Sequence, residues 1–103
     1  MDISIKEACK ALNNNPNIIL IDVRTPEEYR NGCIAGSRNI PLSEIRSYAY
    51  DESTDKNAIT FVHCQSGGRS RQAKAALVVA GFKNVYDIGG IHGWKLTKPS
   101  NAK

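Results

Sequence analysis

The chain has 103 residues, of which 41% are hydrophobic, and it carries a formal net charge of +4. This length predicts one small globular domain, which we place at residues 1–96, followed by a flexible polar tail over residues 97–103. No apolar run approaches the roughly 18 residues of a membrane span, and the amino terminus lacks the apolar segment of a secretory signal. We therefore expect a cytoplasmic protein that does not bind membranes.

Three cysteines, Cys9, Cys33 and Cys64, form no Cys-x-x-Cys pair, and an odd number cannot all be joined in disulfides. We expect free thiols in a reducing compartment. The chain has only two histidines, and neither stands at metal-ligand spacing from a cysteine pair. This pattern argues against a zinc site.

The amino-terminal region predicts a helix followed by a buried strand. Ser4 and Glu7 have the spacing of a capping box in front of an apolar stripe, so we expect a helix over residues 5–13. Cys9 lies on that stripe and is interpreted as a small buried side chain. A continuous apolar run over residues 17–23 is typical of a parallel strand covered on both faces.

The next segment predicts further short elements. Thr25 and Glu28 form a second capping box, with proline at the first helical position, and indicate a short helix over residues 26–31. A short strand is expected over residues 38–40. Ser43 is expected to cap the helix that follows.

The second half predicts a strand, a helix and a strand. An apolar run rich in β-branched residues, 59–62, leads directly to Cys64, and an Ala-rich helical pattern follows over residues 70–80. A last strand is expected over residues 84–88. Strands that alternate with short helices indicate an α/β domain with a mainly parallel sheet, in which ligands bind at the carboxyl ends of the strands.

Cys64 stands where a strand ends and a helix begins, a position that favours the thiolate through backbone N–H groups and the helix dipole. The following loop is expected to curl around the sulfur, with Gly67 and Gly68 adopting conformations that other residues avoid. Ser70, as first residue or cap of the helix, closes this anion cradle, and Arg69 adds a fixed positive charge. The sequence therefore predicts a nucleophilic cysteine.

The charge around this loop is one-sided. Residues 56–86 contain no acidic residue but several lysines and arginines, so the local field favours an anionic substrate. The basic residues are few and no aromatic residues alternate with them, which does not favour nucleic-acid binding.

The string His-Cys-Gln-Ser-Gly-Gly-Arg-Ser, residues 63–70, followed by an Ala-rich helix, resembles the active-site loop of rhodanese-like sulfurtransferases. Residues 20–24, 28–41 and 89–94 resemble further segments of that family in the same order and spacing. The resemblance implies a three-layer α/β/α fold with a mainly parallel five-stranded sheet. It also implies the substrate-binding residues of the loop: Gln65, Ser66, Gly67, Gly68, Arg69 and Ser70.

In that family the cysteine, here Cys64, carries the sulfur. The resemblance implies that its thiolate takes the outer sulfur of a donor anion such as thiosulfate and then passes it to cyanide or to a thiol, which a protein can supply. This double displacement needs no metal and no organic cofactor. Asp22, Arg24 and Trp94 are then interpreted as structural, with Arg24 a member of a buried ion pair.

Two other functions stay open. One is cysteine-dependent phosphatase or arsenate reductase chemistry, because some phosphatases share this fold and the His-Cys pair. Those enzymes use Cys-x5-Arg, whereas Arg69 comes one residue early for that pattern. A non-catalytic module that binds a protein partner is the second alternative, although such modules often lose the cysteine or its loop.

Two residues near these motifs need a separate interpretation. The family usually has histidine at the position of Cys33, which we interpret as a neutral replacement on a surface loop. The alternative hypothesis is that Cys33 resolves oxidised Cys64. His63 precedes the nucleophile, and because successive strand residues point to opposite faces, we expect it to pack in the core.

Overall fold

Four parallel strands form the centre of the computed structural model, which describes residues 2–99. The sheet has the order β2-β1-β3-β4. Its strands are β1 (Ile19–Asp22), β2 (Arg38–Asn39), β3 (Thr60–His63) and β4 (Val85–Asp87). The parallel α/β architecture is confirmed. The expected number of five strands is wrong for the described residues, where Cys33 and Thr97 make a single antiparallel bridge instead of a further strand.

Helices cover both faces of the sheet. They are α1 (Ile5–Asn14), α2 (Pro26–Asn31), α3 (Ile45–Ala49), which a 3-10 turn over Leu42–Glu44 precedes, and α4 (Gly68–Val79). Neighbouring strand residues point to opposite faces. Leu20 and Phe61 thus pack in one apolar cluster with Ala8 of α1, while Ile21 and Val62 belong to the other, with residues of α3 and α4. The expected three-layer arrangement follows from this alternation.

The two capping boxes begin the helices that they predict. Glu7 donates its backbone N–H to Ser4 Oγ at 3.1 Å, and Ser4 N–H reaches Glu7 Oε1 at 3.0 Å. Thr25 and Glu28 make the same reciprocal pair at the start of α2. The prediction for Ser43 is wrong, because Ser43 lies inside the 3-10 turn and no side chain caps α3.

A buried ion pair joins the end of β1 to the loop after α2. Arg24 Nη2 donates to Asp22 Oδ2 at 2.7 Å and to the carbonyl oxygen of Gly32 at 2.7 Å. Both side chains are buried, which is tolerable only because the charges are paired and further hydrogen-bonded. The structural interpretation of Asp22 and Arg24 agrees with this geometry.

The cysteines outside the loop differ from one another in burial. Cys9 is half-buried, so its expected full burial on α1 is not observed. Cys33 is buried, and its interpretation as a surface-loop residue is wrong, because its backbone pairs with Thr97 through two hydrogen bonds of 2.8 Å. The expected tail begins at residue 97, and residues 100–103 lie outside the described residues. Within residues 2–99 no helix is long and apolar enough to cross a membrane.

Candidate active site

Cys64 follows β3 directly, at the carboxyl end of a strand that is flanked by β1 and β4. Its backbone N–H donates to the carbonyl oxygen of Gly89 at 3.0 Å, so the segment after β4 holds Cys64 in place. The residue exposes only 1% of its surface. Cys64 is therefore almost fully enclosed by the residues around it.

The loop curls around the sulfur as the glycines predict. Gly67 donates its backbone N–H to Cys64 Sγ at 2.9 Å, and it does so with a φ of +105°, where a side chain is strained. Gly68 lies at the start of α4 without a positive φ, so the expectation of an unusual conformation is confirmed for Gly67 and wrong for Gly68.

The hydrogen bonds of the loop favour the thiolate. Burial raises the pKa of the Cys64 thiol. Hydrogen bonds within the loop, first among them those from the backbone N–H groups of Ser70, Gly67 and Ser66, lower the pKa by more than burial raises it, and the result lies below the usual value for cysteine. The start of α4 adds the positive end of its dipole. These groups supply the negative-charge stabilisation that a sulfur nucleophile needs.

Ser70 lies within the first turn of α4, since the helix begins at Gly68 and Gly67 takes the capping position. The expectation that Ser70 is the first residue or cap is therefore wrong, by two residues for the first position and by three for the cap. Its hydroxyl is buried between three groups. Ser70 Oγ lies 3.6 Å from Cys64 Sγ, 3.1 Å from the carbonyl oxygen of Gly67 and 2.7 Å from Asp87 Oδ1.

Arg69 makes a two-point ion pair with Glu28 of α2. Arg69 Nη1 donates to Glu28 Oε1 at 2.8 Å, and Nη2 donates to Oε2 at 3.0 Å. These hydrogen bonds from Arg69 are the main cause that lowers the pKa of Glu28 to about 2. The guanidinium that the sequence predicts to bind a substrate anion therefore already binds a carboxylate.

Gln65 and Ser66 are exposed at the outer side of the loop. The segment after β4 supports them from beneath, because the Ile91 N–H donates to the carbonyl oxygen of Gln65 at 3.2 Å. A Cβ atom on Gly90 would lie 2.4 Å from that oxygen, so only glycine fits there. The Gly-Gly sequence at residues 89–90 thus shapes the active-site loop.

His63 is fully buried and packs in the core, as expected. Its Nε2 lies 3.7 Å from Asp22 Oδ2, and within the described residues neither ring nitrogen has a hydrogen-bond partner. Burial lowers the pKa of His63 despite the nearby Asp22 carboxylate, so the ring is neutral at physiological pH. Residues 2–99 contain no group of three or more His, Cys, Asp or Glu side chains that could hold a metal ion.

Glu28, Asp87 and Gly90 belong to the site, although the sequence pointed to none of them as functional. Asp87 had a usable signal, since it ends the strand next to β3 and the carboxyl ends of parallel strands share one edge. Glu28 belonged to a capping box and to a segment that resembles the family, and neither pattern indicated a contact with Arg69. Glu28 and Arg69 are 41 positions apart in the sequence, so their contact depends on how α2 packs against the start of α4 and not on a local pattern.

Residues 5–97 match the family described as Rhodanese-like domain. The chain belongs to this family. Thiosulfate sulfurtransferase PspE of Escherichia coli is 39% identical to this rhodanese-like domain over 71 residues, which are 69% of the chain and 68% of that protein.

Two further comparisons cover more of the chain. Thiosulfate sulfurtransferase GlpE of Pseudomonas putida is 30% identical over 97 residues, which are 93% of this chain and 86% of that protein. The crystal structure of a rhodanese-like domain protein from Staphylococcus aureus has a TM-score of 0.82 and 31% identity, covering 97% of this chain and all of the other. The rhodanese-like fold is thus shared almost over the full described length.

Proposed function

We propose that this rhodanese-like domain is a sulfurtransferase that moves a sulfane sulfur from a donor such as thiosulfate to a thiophilic acceptor through a persulfide on Cys64. The observation that carries the proposal is the 2.9 Å hydrogen bond from the Gly67 N–H to Cys64 Sγ, at the start of α4. It favours the ionised form of the sulfur. Relatives named thiosulfate sulfurtransferases support the same class of reaction.

In the first step the Cys64 thiolate attacks the outer sulfur of thiosulfate. A bond forms between Sγ and that sulfur, and the sulfur–sulfur bond of the donor breaks, with its electron pair leaving on sulfite. The enzyme then carries Cys64–S–S⁻. The N–H groups of Gly67, Ser66 and Ser70 stabilise negative charge at this place before and after transfer.

In the second step an acceptor attacks the outer sulfur of the persulfide. The bond to Sγ breaks, its electron pair returns to Cys64 as a thiolate, and the product is thiocyanate from cyanide or a new persulfide from a thiol. A thiol on a second protein can serve as this acceptor. The cycle needs no metal and no cofactor, because both steps are nucleophilic displacements at sulfur.

Arg69 is proposed to attract and orient the anionic donor together with the loop residues Gln65, Ser66, Gly67, Gly68 and Ser70. Before a donor binds, the Arg69 guanidinium is paired with the Glu28 carboxylate. A donor anion must therefore share or replace the Glu28 carboxylate. Arg69 and Glu28 are each about one third exposed, at 33% and 32%, so such an exchange takes place in contact with solvent.

We also propose a reducing, cytoplasmic location, because all three cysteines are free. Phosphatase or arsenate reductase chemistry is the competing activity. It is disfavoured by the position of Arg69, one residue too early for a loop that wraps a tetrahedral phosphoryl group and already paired with Glu28. A partner-binding module without activity is disfavoured by the intact hydrogen bonds around Cys64 Sγ.

The test compares two reactions of the same protein. We expect thiocyanate from thiosulfate and cyanide, and negligible hydrolysis of an aryl phosphate. Cys64→Ser should fold normally and lose transfer, whereas Cys9→Ser, which changes a half-buried thiol of α1, should keep it. Phosphate release without thiocyanate formation would favour the phosphatase alternative. A folded protein with neither activity would favour the partner-binding module.

A further inference from the structure

The buried carboxylate of Asp87 is hydrogen-bonded to Ser70 of the active-site loop. Asp87, at the end of β4, exposes 4% of its surface, and its Oδ1 accepts two hydrogen bonds, from Ser70 Oγ at 2.7 Å and from the Gly89 N–H at 2.8 Å. Gly89 also accepts the Cys64 N–H, so the carboxylate and the nucleophile are attached to the same short segment. The mechanism above does not use this side chain.

The Ser70 hydroxyl has one proton and three neighbouring acceptors. The Asp87 contact is the shortest of them, at 2.7 Å, and hydrogen bonds to carboxylates are stronger than those to neutral oxygens. The Gly67 carbonyl oxygen is at 3.1 Å and Cys64 Sγ at 3.6 Å. A hydroxyl that donates to Asp87 turns a lone pair, not its proton, toward the sulfur.

We propose that Asp87 is a positioning residue that holds the Ser70 proton, so that Ser70 Oγ faces Cys64 Sγ as a hydrogen-bond acceptor and not as a donor. The proposal rests on the proposed function, in which Cys64 is the nucleophile. The hydroxyl then adds nothing to the stabilisation of the thiolate, which the backbone N–H groups and the start of α4 supply. The sulfur is then more basic than it would be if the Ser70 hydroxyl also donated to it. This basicity favours attack, because a thiol that titrates near the ambient pH is the most effective attacking thiol.

Other charged groups surround the loop and Asp87, and they are the same in every variant compared. Arg69 of α4 and Glu28 of α2 form one surface pair. Asp2 and Lys74 form a second pair, and Asp2 Oδ2 accepts the Asp87 N–H at 2.8 Å. At the neighbouring strand ends lie the buried groups Asp22, Arg24 and His63. Their effect on Cys64 is common to all the proteins compared, so differences between variants report on residues 70 and 87.

The test measures the rate of Cys64 alkylation by iodoacetamide against pH, with peptide-resolved mass spectrometry to separate Cys64 from the other two cysteines. This readout needs no sulfur transfer, so it separates failure of this proposal from failure of the proposed function. Asp87→Ala removes the acceptor. Asp87→Asn removes the charge but keeps an acceptor oxygen, because the Gly89 N–H fixes the amide oxygen at the Oδ1 position.

We expect the pH midpoint of Cys64 alkylation to be lower in Asp87→Ala than in Asp87→Asn, because in Asp87→Ala the freed Ser70 hydroxyl can donate to the sulfur. At a pH below both midpoints, Asp87→Ala should then hold about tenfold more thiolate. Adding Ser70→Ala to Asp87→Ala should remove this difference. Ser70→Ala in the otherwise unchanged protein should not raise the midpoint, because the hydroxyl gives nothing to the thiolate there.

Two results would overturn the proposal. Equal shifts in Asp87→Ala and Asp87→Asn mean that only the charge of Asp87 matters. A higher midpoint in Ser70→Ala alone means that the hydroxyl already donates to the sulfur. If circular dichroism shows that Asp87→Ala does not fold, the comparison of Ser70→Ala with the unchanged protein still tests the proposal. A midpoint that does not rise supports it, and a higher midpoint overturns it.

Discussion

The proposed binding of an anionic donor by Arg69 depends on its ion pair with Glu28. Its guanidinium meets the Glu28 carboxylate through two hydrogen bonds, of 2.8 and 3.0 Å, and the anionic donor that we propose for Arg69 would compete for the same two N–H groups. A competing carboxylate weakens anion binding without touching the nucleophile. Glu28 is therefore expected to tune the preference between anionic and neutral sulfur donors.

Glu28→Gln tests this competition at the residue scale. Glutamine keeps the capping box with Thr25 but loses the charge that holds Arg69. We expect the KM for thiosulfate to fall about threefold to fivefold, as the loss of a partly exposed ion pair predicts, with little change for a neutral donor. Steady-state kinetics with both donors measure the effect.

Glu27→Gln is the matched control, because Glu27 is exposed on the same helix and has no contact with Arg69. Arg69→Ala should weaken thiosulfate use more than use of a neutral donor, and it should abolish the effect of Glu28→Gln. A rise in the KM for thiosulfate in Glu28→Gln, or equal losses for both donors in Arg69→Ala, would contradict the proposed anion-binding role.

The residues that the sequence identified are those whose role is local. Cys64 and Gly67 lie within four positions of each other, so the strand, the glycines and the helix start predict their contact. Asp87 and Glu28 reach the site from other elements, 17 and 41 positions away from their partners in the chain. No local pattern encodes those contacts, because they depend on how the strands and helices pack.

At the scale of elements, strands and capped helices were predicted more accurately than helix starts without a side-chain cap. α1 and α2 begin where their capping boxes place them. α4 begins two residues earlier than its Ala-rich pattern suggested, because Gly67 in a left-handed conformation starts the helix. Apolar periodicity does not indicate such a turn. The prediction that Ser43 caps α3 failed for a related reason, because a 3-10 turn precedes that helix.

The start of α4 can be tested with two neighbouring glycines. A Cβ atom meets nothing within 4 Å at either Gly67 or Gly68, so the two positions differ mainly in backbone conformation. Gly67→Ala should reduce the free energy of unfolding by about 1–2 kcal/mol, because its φ of +105° strains any L side chain. Urea denaturation measures this change.

Gly68→Ala is the control, and it should be neutral or stabilise the protein by up to about 1 kcal/mol. Gly67→Ala should also raise the pH at which Cys64 is alkylated, because an alanine that relieves the strain by changing its φ moves the N–H away from Sγ. Equal stability of the two variants would contradict the assignment of strain to Gly67.

At the scale of the whole molecule, the sheet buries charged and titratable groups next to the nucleophile. Asp22 and Arg24 neutralise each other, but His63 is buried without a hydrogen-bond partner among residues 2–99. Burial holds its pKa below the model-peptide value of 6.5. The unfolded chain therefore takes up a proton at higher pH than the folded one does.

The sign of the pH dependence follows from this difference. The contribution of neutral His63 is complete above about pH 6.5 and is lost as the pH falls below it, with a slope of at most about 1.4 kcal/mol per pH unit. His63→Phe should flatten the dependence of unfolding free energy on pH between about 5 and 7, a window above the carboxylate titrations. His92→Phe, at an exposed position, is the control. An unchanged slope in His63→Phe would contradict the burial of a neutral ring.

The central claim is that Cys64 carries sulfur, and the intact mass of the protein after treatment with thiosulfate tests it most directly. We predict a gain of one sulfur atom that disappears when cyanide is added and is absent in Cys64→Ser. Folded protein whose mass does not change with thiosulfate, or whose added sulfur persists in Cys64→Ser, would contradict the account.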